Sequence, residues 1–174
     1  MTGVSFSVEI DDTQARESIR ALIDRMDNTA PFLDAVGAHL VNSTTERFGG
    51  NTAPDGTSWA GLAPSTIQQR IKRGLSSSQI LLAGGELRGS IIYQREGDTI
   101  RIGPNSVGNQ NAYAAIHQFG GAINRPAREG KLFDRINAKV RAYTINLPAR
   151  PFLGLSDADE AAIGELAQDW LDFG

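Results

Sequence analysis

The side chains that could transfer a proton, hold a metal or attack a carbonyl in this 174-residue chain are His39, His117, Asp55, Glu86 and a scatter of serines. Their spacing favours none of these chemistries. The two histidines stand in separate segments, with no His-x-x-His or Glu-x-x-His arrangement, and the chain has no cysteine. A zinc site would therefore have to gather carboxylates from distant places. Gly84-Gly85-Glu86-Leu87-Arg88-Gly89-Ser90 lacks the Gly-Lys-Ser/Thr ending of a phosphate loop, and Glu86 would repel a phosphate. No serine sits in Gly-x-Ser-x-Gly. Asp55, in a Pro-Asp-Gly run, reads as a turn former. His39 reads as a packing residue of a helix. His117, flanked by Tyr113 and Phe119, reads as a core or capping residue before it reads as a general base. A hydrolase built on Asp55, Glu86 and His117 is retained only as a minor alternative, and the expectation is a protein without catalytic residues, metal or cofactor.

The elements that would position these residues follow from periodicity. Val4, Phe6, Val8 and Ile10 alternate with polar residues as a strand. Asp11 or Asp12 can cap a helix in which Ala15, Ile19, Leu22, Ile23 and Met26 recur at helical spacing to about Asn28. Pro31 opens a second helix, with its apolar stripe at Phe32, Leu33, Val36, Leu40, Val41, Thr44 and Phe48, ending at Gly49-Gly50. The short turn between them predicts an antiparallel helix pair. A Gly- and Pro-rich loop from Gly49 to Leu62 holds Trp59 as an aromatic anchor, and Pro64 to Ile71 forms a short helix ahead of a Ser-rich connector. Leu87 to Ser90 is read as one helical turn, Ile91 to Ile102 as a hairpin around Glu96-Gly97-Asp98, and Tyr113 to Phe119 as a helix ended by Gly120-Gly121. Tyr143 to Leu147 alternates as a strand, and a last helix capped by Ser156 shows Ile163, Leu166, Trp170 and Leu171 on its apolar face. Helix pairs followed by hairpin strands predict an α+β fold in a single domain spanning 1–174: an amphipathic helix pair, an antiparallel sheet including a hairpin, a long basic loop and a C-terminal helix.

Charge is unevenly distributed. Residues 1–60 hold nine acids and four bases, residues 61–150 five acids and thirteen bases, and residues 151–174 six acids and no base. The basic stretch from about 122 to 141 holds Arg125, Arg128, Lys131, Arg135, Lys139 and Arg141 against Glu129 and Asp134, has little periodicity and reads as a mobile arm. Three readings follow: the acidic ends fold back over the basic middle of the same chain, an acidic end of one copy meets the basic middle of the next, or the arm meets nucleic acid, with Phe133 and Tyr143 as stacking groups. The longest stretch without charge, Ile102 to Asn124, is too polar to span a bilayer, so no membrane contact is expected. Glu9 precedes the first base, Arg16, against the pattern of a secretory leader, and the expected site of synthesis is the cytoplasm.

Four stretches, in order, resemble the virion morphogenesis or tail-completion proteins of contractile-tailed bacteriophages and their prophages. They are Pro54-Asp55-Gly56-Thr57-Ser58-Trp59-Ala60-Gly61-Leu62; Ile80-Leu81-Leu82 with Gly85-Glu86-Leu87-Arg88-Gly89-Ser90-Ile91; Tyr113-Ala114-Ala115-Ile116-His117-Gln118-Phe119-Gly120-Gly121; and Pro148-Ala149-Arg150-Pro151-Phe152-Leu153-Gly154. Where the family often has Thr, this chain has Gly84, which removes a hydroxyl cap from the short helix. The resemblance implies a structural protein that completes or caps the tail and helps join it to the DNA-filled head, acting in the host cytoplasm during assembly and then in the virion. It implies phage tail and neck proteins as partners, and rotational symmetry favours a homo-oligomeric ring. The alternative is a head–tail adaptor or a nucleic-acid-contacting module using the arm near the portal. The expected contacts with partners or neighbouring copies are Arg125, Arg128, Lys131, Arg135, Lys139, Arg141 and Arg150, the last also readable as an internal ion pair. The expected scaffold is Asp55, Gly56, Trp59, Leu87, Tyr113, His117, Phe119, Gly120, Pro148, Pro151 and Phe152.

Overall fold

The structure, a computed structural model, describes residues 13–105, 109–132 and 136–172. The strand read at Val4 to Ile10 and the cap at Asp11 or Asp12 lie outside the described residues. Helix α1 (Thr13–Met26) follows the expected apolar spacing. Helix α2 (Ala30–Gly50) has Pro31 in its first turn, where the missing N–H costs no hydrogen bond. It stops at Asn51, which takes a left-handed φ of 55° and donates its N–H to the Arg47 carbonyl. Helix α3 (Pro64–Lys72) and the single turn α4 (Glu86–Gly89) follow, α4 entered through left-handed Gly85 with no side-chain cap.

Strands β1 (Ile91–Glu96) and β2 (Thr99–Pro104) form the expected antiparallel hairpin, paired from Glu96 with Thr99 to Ile91 with Pro104. Helix α2 lies across this hairpin, and Gly37 makes the approach close: a Cβ there would come within 2.5 Å of the Tyr93 ring. The hairpin tip is fastened to the start of α2. Thr29 Oγ1 donates to Asp98 Oδ1 at 2.7 Å and Arg95 Nε to Asp34 Oδ1 at 3.1 Å.

Helix α5 (Asn109–Phe119) leads into strands β3 (Gly121–Arg125), β4 (Arg128–Leu132), β5 (Ile136–Val140) and β6 (Tyr143–Leu147), and α6 (Asp157–Asp172) ends the described chain. The stretch expected as a long basic loop differs from that reading. Its described part is antiparallel ribbon, β3 paired with β6 from Gly121 with Leu147 to Arg125 with Tyr143, and β4 with β5 from Arg128 with Val140 to Leu132 with Ile136. The chain runs out along β3 and β4 and returns along β5 and β6. The ladder bonds are made by backbone groups, which charged residues, Gly130 and Asn137 supply as well as apolar ones do, so no hydrophobic alternation announces the β4–β5 pair. Across β3 and β6, Thr144 Oγ1 adds a bond to Asn124 Oδ1 at 2.9 Å.

The helix pair also packs differently from expectation. Helix α2 packs on β1, β2 and α6, and these occupy its apolar face. Helix α1 buries no residue, and Ile19, Ile23 and Met26 are each more than half exposed. Helices α2 and α6 run antiparallel, with Phe32 stacked on Trp170 at one end (ring centroids 5.5 Å apart) and Arg47 bonded to Asp159 at the other. The core gathers Phe48, Ala53, Trp59, Leu81, Leu87, Ile91, Ala114 and Phe152, with Phe48 and Phe152 fully buried. The described residues are thus α+β, with small antiparallel strand pairs beside helices.

Candidate functional site

The four stretches singled out in the sequence come together at one place: side chain to backbone bonds join the first and the third to the fourth, and the second meets them in the apolar core. In the first, Pro54-Asp55-Gly56 forms a tight turn in which Asp55 Oδ1 accepts from the Thr57 N–H at 2.9 Å and the Thr57 hydroxyl at 2.6 Å. The Thr57 hydroxyl and N–H hold this carboxyl below its ordinary value. Trp59 follows, its ring buried edge-on against Phe48 at 5.6 Å and its Nε1 donating to the Pro151 carbonyl at 2.7 Å. Burying the ring while bonding its one polar atom satisfies both halves of an indole.

The fourth stretch reaches back. Pro148 and Pro151 stiffen the backbone around Arg150, whose Nε donates to the Ala60 carbonyl at 2.8 Å and whose Nη2 donates to the Gly61 carbonyl at 2.9 Å. Arg150 was expected to meet a carboxylate of this chain or of a neighbour. It is instead 4% exposed and bonded to two carbonyls of its own chain, because the paired prolines aim the guanidinium into the loop that Trp59 anchors. At Gly154 a Cβ would stand 2.8 Å from the Pro54 ring, so the first and fourth stretches touch directly.

The third stretch locks against the fourth. Gln118 Oε1 accepts from the Phe152 N–H at 3.0 Å and the Leu153 N–H at 3.1 Å, while its Nε2 donates to the Leu153 carbonyl at 3.0 Å. The Arg150 N–H donates to the His117 carbonyl at 2.7 Å. Gly120 takes a φ of +71°, with the Ala149 backbone nitrogen 2.7 Å from where a Cβ would be, so only glycine lets these two segments meet. The His117 ring is buried, packed edge-on with Tyr113 at 4.4 Å, and among the described residues its Nδ1 has no hydrogen-bond partner. Burial, reinforced by the charge of Arg150, pushes its pKa down and keeps it neutral at pH 7. From the second stretch Leu87 joins the core. Tyr113 and Phe119 are exposed, at 51% and 79%, as are Asp55, Gly56 and Pro148 of the expected scaffold, whereas Trp59, Leu87, His117 and Phe152 are buried.

Three polar residues central to this arrangement were not singled out in the sequence. Arg47, on the buried side of α2, donates to the Phe152 carbonyl at 3.1 Å, the Gly154 carbonyl at 2.7 Å and the Asp159 carboxylate. Asp159, 2% exposed, also accepts from the Ser156 N–H at 2.9 Å and the Ser156 hydroxyl at 2.7 Å, and lies 3.1 Å from His39 Nε2. Burial pushes its carboxyl up, but hydrogen bonds from Ser43 and Ser156 and the charge of Arg47 outweigh it and bring the pKa to about 2. Arg70 donates to the Ser76 and Ile80 carbonyls at 3.1 and 2.7 Å and to that of Gln79, closing the Ser-rich connector. The available signals were Arg47 inside the apolar stripe and Ser156-x-x-Asp159, a capping-box spacing with Asp in place of Glu.

Over residues 10–172 the chain matches the phage virion morphogenesis family. It belongs to that family. It is 30% identical over 129 residues to the putative capsid assembly protein G of Escherichia phage Mu, covering 74% of this chain and 70% of that protein. It is 41% identical over 64 residues to the Mu-like prophage FluMu G protein 2 of Haemophilus influenzae, covering 37% of this chain and 35% of that one. No solved structure matches the chain. Membership of the family makes this a phage structural assembly protein. The polar groups of its motifs fit that role, because they clamp loops to one another by binding backbone carbonyls and amides. Among the described residues no three His, Asp or Glu side chains converge as a metal site, and no helix is long and apolar enough to cross a membrane.

Of the residues expected at contacts, Arg125 and Arg141 lie exposed on the ribbon, and Arg128, Lys131 and Lys139 occupy strand positions in β4 and β5. Arg135 lies outside the described residues. The acids of α6 other than Asp159, namely Asp157, Glu160, Glu165, Asp169 and Asp172, are all exposed.

Proposed function

We propose that the protein completes or caps the phage tail and helps join it to the DNA-filled head, in a homo-oligomeric ring that contacts tail and neck proteins, first in the host cytoplasm and then in the virion. The observation that carries this reading is the division of labour between buried and exposed charge. Arg47, Arg70 and Arg150 are committed to backbone carbonyls inside the body, while the ribbon and the outer face of α6 present opposite charges to the outside. A rigid clamp carrying two complementary charged surfaces suits repeated contacts in a closed assembly, not turnover of a substrate. His117, the one candidate general base among the motif residues, is enclosed and packed on Tyr113, which favours the scaffold over the hydrolase. A role as head–tail adaptor, or contact of the ribbon with DNA near the portal, is the second reading and rests on the basic residues of the ribbon.

Electron microscopy of a lysate in which this gene is stopped early tests the proposal. Full heads beside unattached tails of irregular length are expected. Joined particles of normal form would overturn it, and unattached tails of regular length would move the role to the adaptor.

A further inference from the structure

Among the described residues, the ribbon formed by β3 to β6 leaves the body without cover. Its strands pair with one another, and the described faces of β3 and β6 are mostly exposed, with Tyr143 at 48% and Ile145 at 37%. Two-stranded antiparallel ribbons are marginal in water unless something packs on them. The described ribbon carries Arg125, Arg128, Lys131, Lys139 and Arg141 against Glu129 alone. Among the described residues neither Arg125 nor Arg141 has a carboxylate within ion-pair distance.

Helix α6 is its complement. Its inward side carries Asp159, Ile163, Leu166 and Trp170, packed toward α2. At roughly 100° per residue, Asp157, Glu165 and Asp172 fall on the opposite side of the helix and Glu160 and Asp169 on its two flanks. These five are exposed, the helix itself carries no base, Arg25 of α1 reaches only the Leu171 carbonyl beside Asp172, and none of the five has an ion-pair partner among the described residues.

We infer that the β-ribbon of one copy docks on the acidic outer face of α6 of a second copy. The contact is heterologous, since ribbon and helix are different surfaces of the same chain, and repeated contacts of this kind close into rings or extend into open helical stacks. It deepens the ring reading above and rests on it only in requiring that identical copies meet.

Charge exchange in the full-length protein tests it. The ribbon variant carries Arg125→Glu, Arg128→Glu and Arg141→Glu; the helix variant carries Glu165→Lys, Asp169→Lys and Asp172→Lys. Circular dichroism checks that both fold. In sedimentation velocity at low salt, the wild-type chain is expected to self-associate with concentration. Each variant alone is expected to associate at least about tenfold more weakly, and an equimolar mixture of the two is expected to regain association, because the reversed ribbon then meets the reversed helix in trans. A wild-type chain that stays monomeric across the whole concentration range overturns the inference. So does a ribbon variant that associates like wild type while losing retention on duplex DNA, which would assign the ribbon to nucleic acid, or a mixture that fails to recover. A failed exchange beside unattached tails in the gene-stopped lysate would remove this contact and leave the tail-joining role standing; a successful exchange beside normal particles would do the reverse.

Discussion

At the scale of single residues, stability is concentrated in a few polar groups buried with their partners. Asp159 ties α6 to Arg47 and Ser156, and removing one member of a buried ion pair leaves the other charged and unpaired. Asp159→Ala is therefore expected to cost about 3–5 kcal/mol of unfolding free energy, measured by urea titration. Trp59 separates two contributions: Trp59→Phe gives up mainly the bond to the Pro151 carbonyl, about 1 kcal/mol, and Trp59→Ala also opens a cavity beside Phe48, about 3–5 kcal/mol in all. Equal losses in the two variants would show that the hydrogen bond, not the ring, anchors the loop. Acid should act in two steps. Burial and then Arg150 lower the His117 pKa, so the unfolded chain binds that proton first, and stability falls as the pH drops below the unfolded value of about 6.5. Asp159, lowered to about 2 by hydrogen bonds and Arg47 against the effect of burial, contributes stability above the ordinary carboxylate value that is lost as the pH falls toward about 2. His117→Phe should flatten the upper step and keep the lower one, read from the urea midpoint at each pH; an unchanged upper step would remove His117 as its source.

At the scale of elements, the seating of α2 on the β1–β2 hairpin depends on Gly37. Gly37→Val is expected to destabilise by about 1–3 kcal/mol through contact with the Tyr93 ring. Tyr93→Ala in the same chain should recover part of that loss, and a double-mutant cycle in urea reads the coupling directly. Additive losses would mean that the helix and the hairpin are held apart by something other than this pair. The elements themselves were largely legible in the sequence. Helices α2, α3 and α6, the hairpin and strand β6 follow from apolar spacing and from Pro, Gly and Ser punctuation, because those residues act on their immediate neighbours. What was not legible depends on partners far along the chain. The β4–β5 pairing has no alternating apolar signal, α1 shows the stripe of a packed helix without packing on α2, and Arg150 reads as the partner of a carboxylate, internal or on a neighbouring copy, until Ala60 and Gly61 are seen beside it. The motif residues were visible as a set, whereas Arg47 and Gln118 gain meaning only when Phe152 is folded against them.

For the molecule as a whole, the question is how separable body and ribbon are. Residues 126–142 can be replaced by Asn-Gly, joining Arg125 to Tyr143 through a two-residue turn in the register the strands already have. The shortened chain is expected to keep its helical circular dichroism and a midpoint within a few degrees of the full chain, and to lose self-association. A collapse in stability would make the ribbon part of the folding unit. Self-association of the full chain should also weaken as salt rises from about 0.05 to 0.5 M, since both surfaces are solvent-exposed charges; association unchanged across that range would remove charge as its basis.

The ribbon leaves and returns through one clamp, where Gly120 presses on Ala149 and Gly121 pairs with Leu147. An excursion that starts and ends at the same point has a length the body does not sense. Lengthening each strand by one residue advances the tip by about 3.4 Å and leaves the clamp, the motifs and the core in place. Reach is thus an adjustable dimension of this architecture, set by residue count alone, so descendants of one body can be fitted to neighbours of different girth by insertion and deletion, without redesign of what holds them folded.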